Sequence, residues 1–338
     1  MTPLILLAIG HRGVMNRQTY VARGIPDLLD LMPALFGFAP EESLVAVVTH
    51  DPGRRFGFRL RIDLPPLHQV GAAAFQVVGH LRRQDPDGVV LVALSDRPHL
   101  ADALMSAVVA GLHGVPIHEA ARTDGARYWS YGPEGPGQAT PYVRRSSPVV
   151  VEAIVSGMPI LPSREALVAR FAPVAGERKS EMEEATARVF AESVHELSPG
   201  TSLGIPGMAR LDPIIAGHAA GLPLDDEARA TLAIWVSSID VRDAVWSRLT
   251  RRNADTALSL WTDVAQSVVE PFEVPVLCLA AFAAWLSGDG AQALIAVERA
   301  LDKESDYGMA QMILQMLEAG VSPDRWDGFD PEPPAMAA

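Results

Sequence analysis

The chain has 338 residues, of which 49% are hydrophobic and 20% charged, with a formal net charge of −13. That composition belongs to a globular protein rather than a disordered one, and the length allows two domains. No uninterrupted apolar run approaches the ~18 residues of a membrane span, and the one cysteine, Cys278, excludes an intramolecular disulfide and points to the cytoplasm.

Residues 1–23 carry no sustained periodicity and are expected to form a disordered leader, with Met15 as a candidate true start. The most strongly patterned stretch follows, Ile25 to Val48. Asp27 is placed to cap a short helix bearing Leu28, Leu29, Leu31 and Met32, and Pro33 is expected to break or kink it. Gly37 and Pro40 mark the exit. The five apolar residues Leu44 to Val48 read as a strand covered on both faces. In FGFRLRIDL, Phe56, Phe58, Leu60 and Ile62 alternate with Gly57, Arg59, Arg61 and Asp63, which gives a strand with one polar face. A helix is expected over residues 68–84, an apolar strand over 88–94 and a helix from Pro98 to about Gly111. A hairpin over 115–121 and 127–131 completes the order ββαβαββ, an α/β mixed-sheet sandwich assigned to residues 24–146.

Three glycines and three prolines in the loop from Gly132 to Pro141 lead the chain out of the sheet. Residues 147–321 are expected to form an all-α domain of helical hairpins. Its first helices fall at 148–156, 163–171 and 177–197, and a breaker follows over 199–206. From Asp225 onward every segment reads as helix, at 225–237, 240–249, 254–269, 274–287, 291–303 and 307–319, with short turns that make neighbours antiparallel. Residues 279–305 resemble one tetratricopeptide unit, with Ala293 and Ala300 at small-residue positions and Gly288-Asp289 in the turn. Residues 322–338 are expected to be a disordered tail. Charge divides unevenly: residues 1–176 hold 16 Arg/Lys against 15 Asp/Glu, and residues 177–338 hold 12 against 26. The acidic half argues against nucleic acid or an anionic membrane as partner.

The pattern D-L-L, then P-x-L-x-G-F-x-P-E-x-S-L-V and Arg61-x-Asp63-Leu64-Pro65, resembles the opening of the actinobacterial family filed as domain of unknown function 4192. The resemblance continues through Tyr128-Trp129-Ser130, Leu161-Pro162-Ser163-Arg164, Asp212-Pro213 and Val241-Arg242-Asp243-Ala244. It implies a shared fold and leaves the activity open. Many members carry a cysteine cluster just after the W-x-S segment, where this chain reads YGPEGPGQATP, so thiol chemistry does not carry over.

No phosphate loop, dinucleotide fingerprint, metalloprotease helix or nucleophile elbow is present, and no cofactor or metal is expected. Ser95 and Asp96 sit at the carboxyl end of a strand, where open α/β sheets bind ligands; the same residues also suit a helix N-cap ahead of Pro98. Arg59, Arg61 and Asp63 share a strand face that either grips an anion or forms an ion-pair face with Glu41 or Glu42. Trp129 is a candidate stacking platform or a hairpin-edge aromatic. His113 and His118 lack a third residue at metal-ligand spacing, and His218 reads as a turn or core histidine. These patterns lead to a non-catalytic binding or scaffold protein whose helical half takes a protein partner with a basic segment. The alternative is a small-molecule enzyme or sensor with its pocket near Arg61 and Asp96.

Overall fold

The computed structural model describes residues 5–9, 18–132, 134–145, 150–151, 160–194, 203–323 and 326. They divide into two compact units, Met1–Leu167 and Val168–Ala338. The first is mixed α/β and the second is helical.

The α/β unit opens with β1 (Ile5–Ile9) and β2 (Gln18–Ala22), which pair antiparallel over five residues each. A disordered leader was expected here. A short outer strand is held by backbone pairing to its neighbour and needs no long hydrophobic alternation, which is why the pattern hid it. Next comes α1 (Ile25–Phe36), with Gly24 at the cap position. Asp27 lies in its first turn and accepts the Arg23 N–H at 2.9 Å instead of capping the helix. Pro33 sits inside α1 without ending it. An interior proline costs about 3 kcal/mol, and the burial of every residue from Leu28 to Phe36 offsets that loss. The helix ends where Gly37 turns left-handed at φ 73°.

The sheet then continues through β3 (Ser43–His50), β4 (Arg55–Asp63), β5 (Gly88–Leu94), β6 (Ile117–Thr123) and β7 (Arg127–Gly132), with two-residue strands β8 (Gly135–Pro136) and β9 (Thr140–Pro141). Its order is β2-β1-β4-β3-β5-β6-β7-β8, with β9 on β7. The order ββαβαββ therefore omits β1, β2 and α1 at the front and β8 and β9 at the back. β3 is antiparallel to both β4 and β5, and β5 is parallel to β6, so β4, β5 and β6 end at one edge of the sheet. On one face, Leu44, Ala46, Val48, Leu91 and Ala93 pack with α2 (Val70–Arg83) and α3 (Pro98–Gly111). On the other, Val45, Val47, Val90 and Val92 are equally closed to solvent. A run of valines suits a strand covered twice.

The last short helix of this part of the chain, α4 (Arg164–Ala169), begins after Ser163, whose Oγ accepts the Ala166 N–H. The boundary expected at 146/147 moves to 167/168 because Phe38 and Leu161 form a parallel bridge within the α/β unit. The helix expected over 148–156 lies outside the described residues except for 150–151, which are helical.

The helical unit contains α5 (Gly176–Ser193), α6 (Gly204–Ala219), α7 (Asp226–Trp235), α8 (Ile239–Ser247), α9 (Ala254–Ala265), α10 (Glu273–Ser287), α11 (Gly290–Lys303) and α12 (Gly308–Glu318). α6 was not foreseen, because a breaker was expected over 199–206 and no helix was assigned between it and Asp225. Pro206 lies in its first turn, where the missing N–H costs nothing. α10 is apolar on every side and buried from Glu273 to Leu286; α9, α11 and α12 pack around it. The tail expected from residue 322 lies largely outside the described residues, but Trp326, half-buried, packs against the aromatic side chains of the helical unit. Its indole N–H donates to the Leu249 carbonyl at 3.0 Å, and its ring packs on Trp246, Phe282 and Trp285. Among the described residues no helix is long and apolar enough to cross a membrane.

Candidate functional site at the carboxyl edge of the sheet

The shared end of β4, β5 and β6 is the edge where ligands of open α/β sheets bind. Here the chain fills it with its own charges. Glu42, just before β3, adopts a left-handed φ of 43°, uncommon for a residue with a side chain. Its carboxylate accepts from Ser95 Oγ at 2.9 Å, the Asp96 N–H at 3.2 Å and Arg97 Nε at 2.5 Å. Burial opposes its ionisation, yet the hydrogen bonds from Arg97, Ser95 and Asp96 outweigh it and hold the carboxyl below its usual range.

Three further pairs complete the edge. Arg61 donates to Asp63 at 2.6 Å and to the Glu41 carbonyl at 3.3 Å, with its guanidinium over the Phe38 ring. Arg122 is buried at 6% exposure, and its Nε donates to Asp102 at 3.1 Å. Arg127 closes on Asp124 at 3.0 Å. Burial also opposes ionisation of Asp124, but the Ala126 and Arg127 N–H groups prevail and hold it low. The Tyr131 hydroxyl donates to Asp102, and burial followed by that carboxylate pushes its pKa well above the ordinary phenol value.

Of the candidates read from the sequence, Arg61, Asp63, Ser95 and Asp96 come together at this edge. Arg59 does not: it pairs with Val47, deeper along β4. Glu41 supplies a carbonyl rather than a carboxylate, and Glu42 pairs with Arg97, so the expected partnership with Arg61 is corrected. Trp129 carries the Arg122 guanidinium 3.8 Å from its ring centre and Arg127 at 5.4 Å, so its aromatic surface stacks on the protein's own arginines. His113 contributes only its carbonyl, to Arg82. His118 lies at the opposite edge, against Gly88. His218 lies half-buried in the last turn of α6, 3.3 Å from Ser259 Oγ, with its carbonyl accepting the Gly221 N–H of the turn that follows. Among the described residues no cluster of three metal-ligating side chains occurs.

Chemically this edge is a set of four neutralised arginine–carboxylate pairs. Ser95 donates to a carboxylate held below its usual range, and such a carboxylate is a weak base for activating a hydroxyl near neutrality. Sequence reasoning missed Arg97, Asp102, Arg122, Asp124 and Arg127, and gave Glu42 the wrong arginine. The available signal was charge directly flanking apolar strands at one end, as in Glu41-Glu42, Asp96-Arg97 and Asp124.

A family model described as Domain of unknown function (DUF4192) matches residues 26–324, and the chain belongs to that family. No curated protein and no solved structure matches it.

Proposed function

Starting from a family membership that leaves activity open, we propose that this is a non-catalytic binding or scaffold protein of the cytoplasm. Its helical unit takes a protein partner through a basic segment, and the α/β unit supports that contact. The observation that carries this reading is a stripe on α5. Glu183, Ala187, Phe190 and Val194 recur at helical spacing, and Phe190 and Val194 are each 42% exposed. Glu184 and Glu192 flank them, also exposed. Phe190, which rests one side of its ring against Phe272, and Val194 are open to water beside Glu184 and Glu192, with Glu183 held by an exposed pair to Lys179. Such a face fits a segment that is itself amphipathic and basic. In the same unit, α10 and α11 form an antiparallel hairpin with Ala293 and Ala300 fully buried, which is compatible with the tetratricopeptide-like reading. A small-molecule enzyme or sensor is less favoured, because its ligand would first have to displace Glu42 from Ser95 and Arg97.

The test is fluorescence anisotropy of the full chain with a designed peptide of roughly 18 residues, long enough to be helical, bearing leucine on one face and lysine on the other. Saturable binding should weaken as salt rises past ~0.15 M. Binding should also weaken by about tenfold in Glu183→Lys/Glu184→Lys, a loss of about 1.4 kcal/mol. Binding indifferent to both, or no binding, would overturn the reading.

A further inference from the structure

A second surface, on the α/β unit, has the opposite charge. Along the seam between α2 and α3 runs an open groove of about 520 Å³, bounded by Gly71, Phe75, Val78 and Gly79 on α2 and by Ala107 and Gly111 on α3. Its shape follows from the glycines. A Cβ on Gly111 would lie 2.7 Å from Val78 Cγ2, so this glycine lets the two helices close on each other. At Gly71 and Gly79 an added Cβ would meet nothing within 4 Å, so there the missing side chains leave open space. Phe75, 81% exposed, stands in the wall of that space.

The polar end of the groove is cationic. Arg82 donates Nη2 to the carbonyls of Gly111 at 3.0 Å and His113 at 2.8 Å, which fixes its guanidinium at the end of the seam. Its Nε and Nη1 have no partner among the described residues. Arg83 lies beside it, 2.9 Å from His80 Nδ1. Burial, and then Arg83, holds the His80 pKa below its ordinary value, so the imidazole is neutral near pH 7. No carboxylate lines the groove. Asp102 of α3 is tied to Arg122 and Tyr131, Asp87 accepts the Asp51 N–H, and Asp85 lies beyond the end of α2.

We infer that this groove docks an acidic amphipathic helix of a partner protein, with apolar side chains against Phe75, Val78 and Ala107 and one carboxylate on Arg82. Charge complementarity selects this occupant: an apolar floor ending in a pinned, half-engaged guanidinium favours a carboxylate, and a fixed guanidinium loses little freedom on pairing. The 14 residues of α2 give a wall about 21 Å long, enough for roughly four turns of a docked helix. This goes beyond the proposed function by adding a site of opposite sign on the other unit, so that the chain could hold a basic and an acidic partner at once.

The experiment uses the full chain with two peptides of roughly 18 residues, each with leucine on one face and either glutamate or glutamine on the other. The glutamate peptide should bind saturably and more tightly than the glutamine peptide. Gly79→Leu fills the groove where space is open and removes a helix-interior glycine, so it should cut binding by about tenfold without lowering Tm. Arg82→Gln should weaken only the glutamate peptide. Absence of saturable binding, or binding untouched by Gly79→Leu, would overturn the inference. So would concentration-dependent self-association abolished by Gly79→Leu, which would make the occupant a second copy. The lysine-faced peptide and the Glu183→Lys/Glu184→Lys variant report on the helical unit alone, so failure of one reading is distinguishable from failure of the other.

Discussion

The two units bury charge by opposite means. In the α/β unit the deepest cation is Arg122, which lies at the end of a strand with an aromatic ring over its plane and one half-exposed carboxylate, Asp102, at its side. The buried Asp30 of the same unit is satisfied by neutral donors, the Tyr142 hydroxyl at 2.6 Å and the Arg145 N–H at 3.1 Å. In the helical unit the buried charge is Glu273, 4% exposed, in the first turn of the most apolar helix. Two cations reach it from α11, Arg299 at 2.7 Å and Lys303 at 3.2 Å. A guanidinium is weakly hydrated and tolerates a stacked, lightly paired site, whereas a carboxylate in an apolar setting needs full compensation. The α/β unit therefore satisfies its buried charges with neutral donors and a stacked ring, and depends on its valine strands. The helical unit places an ion-pair lock where its central helix begins.

Breaking each device separately sharpens that contrast. The largest effect is expected from Val45→Asp in β3, where Val45 is fully buried. An unpaired carboxylate there costs several kcal/mol against a total stability of about 5–15 kcal/mol. Soluble protein should be lost, and a variant that still unfolds cooperatively by circular dichroism would show that β3 is not the keystone. Next, Glu273→Ala leaves the buried Arg299 with only the Phe171 and Ala265 carbonyls and no carboxylate, and should cost about 3–5 kcal/mol in denaturant titrations. The double variant Glu273→Met/Arg299→Met should recover most of that loss, and failure to recover would mean the lock matters through packing alone.

The smallest effect belongs to the sheet edge. Glu42→Gln should cost about 1 kcal/mol or less, because the carboxylate is partly exposed and screened. Its pKa is lower in the folded chain than the ordinary glutamate value of 4.5. Its contribution is therefore complete above pH 4.5 and is lost as pH falls through the lower folded value. Wild type and variant stabilities should converge on acidification; a gap unchanged between pH 6 and pH 3 would rule out the ionised form as the stabilising one.

What could be read from the chain follows from the range of the interactions. The buried run of β3 and the all-apolar α10 are local facts, written in consecutive residues, and so was the division into a mixed α/β part and a helical part. α6 was hidden behind the breaker read over 199–206, whose Pro206 falls in the first turn of the helix, where a proline is tolerated. The placing of Ser95 at a strand end was legible from an apolar run followed by polar residues. Its partner Glu42 lies 53 positions away, and neither periodicity nor composition encodes such a pairing. Trp129 was visible as an aromatic on a hairpin; that Arg122 covers it depends on the register of β6 against β7.

The bridge between Phe38 and Leu161 has a consequence for synthesis on the ribosome. Leu161 donates its N–H to the Gly37 carbonyl at 2.7 Å and accepts the Ala39 N–H at 3.3 Å, so the turn after α1 is completed by residues from the far end of the unit. About 120 residues of chain separate the two partners. At roughly 5–20 residues per second, that interval lasts about 6–25 s. Throughout it the nascent Gly37 turn offers an open carbonyl and amide to whatever waits at the tunnel exit, so a chaperone that recognises extended backbone would have its opportunity there and would lose it once Leu161 emerges.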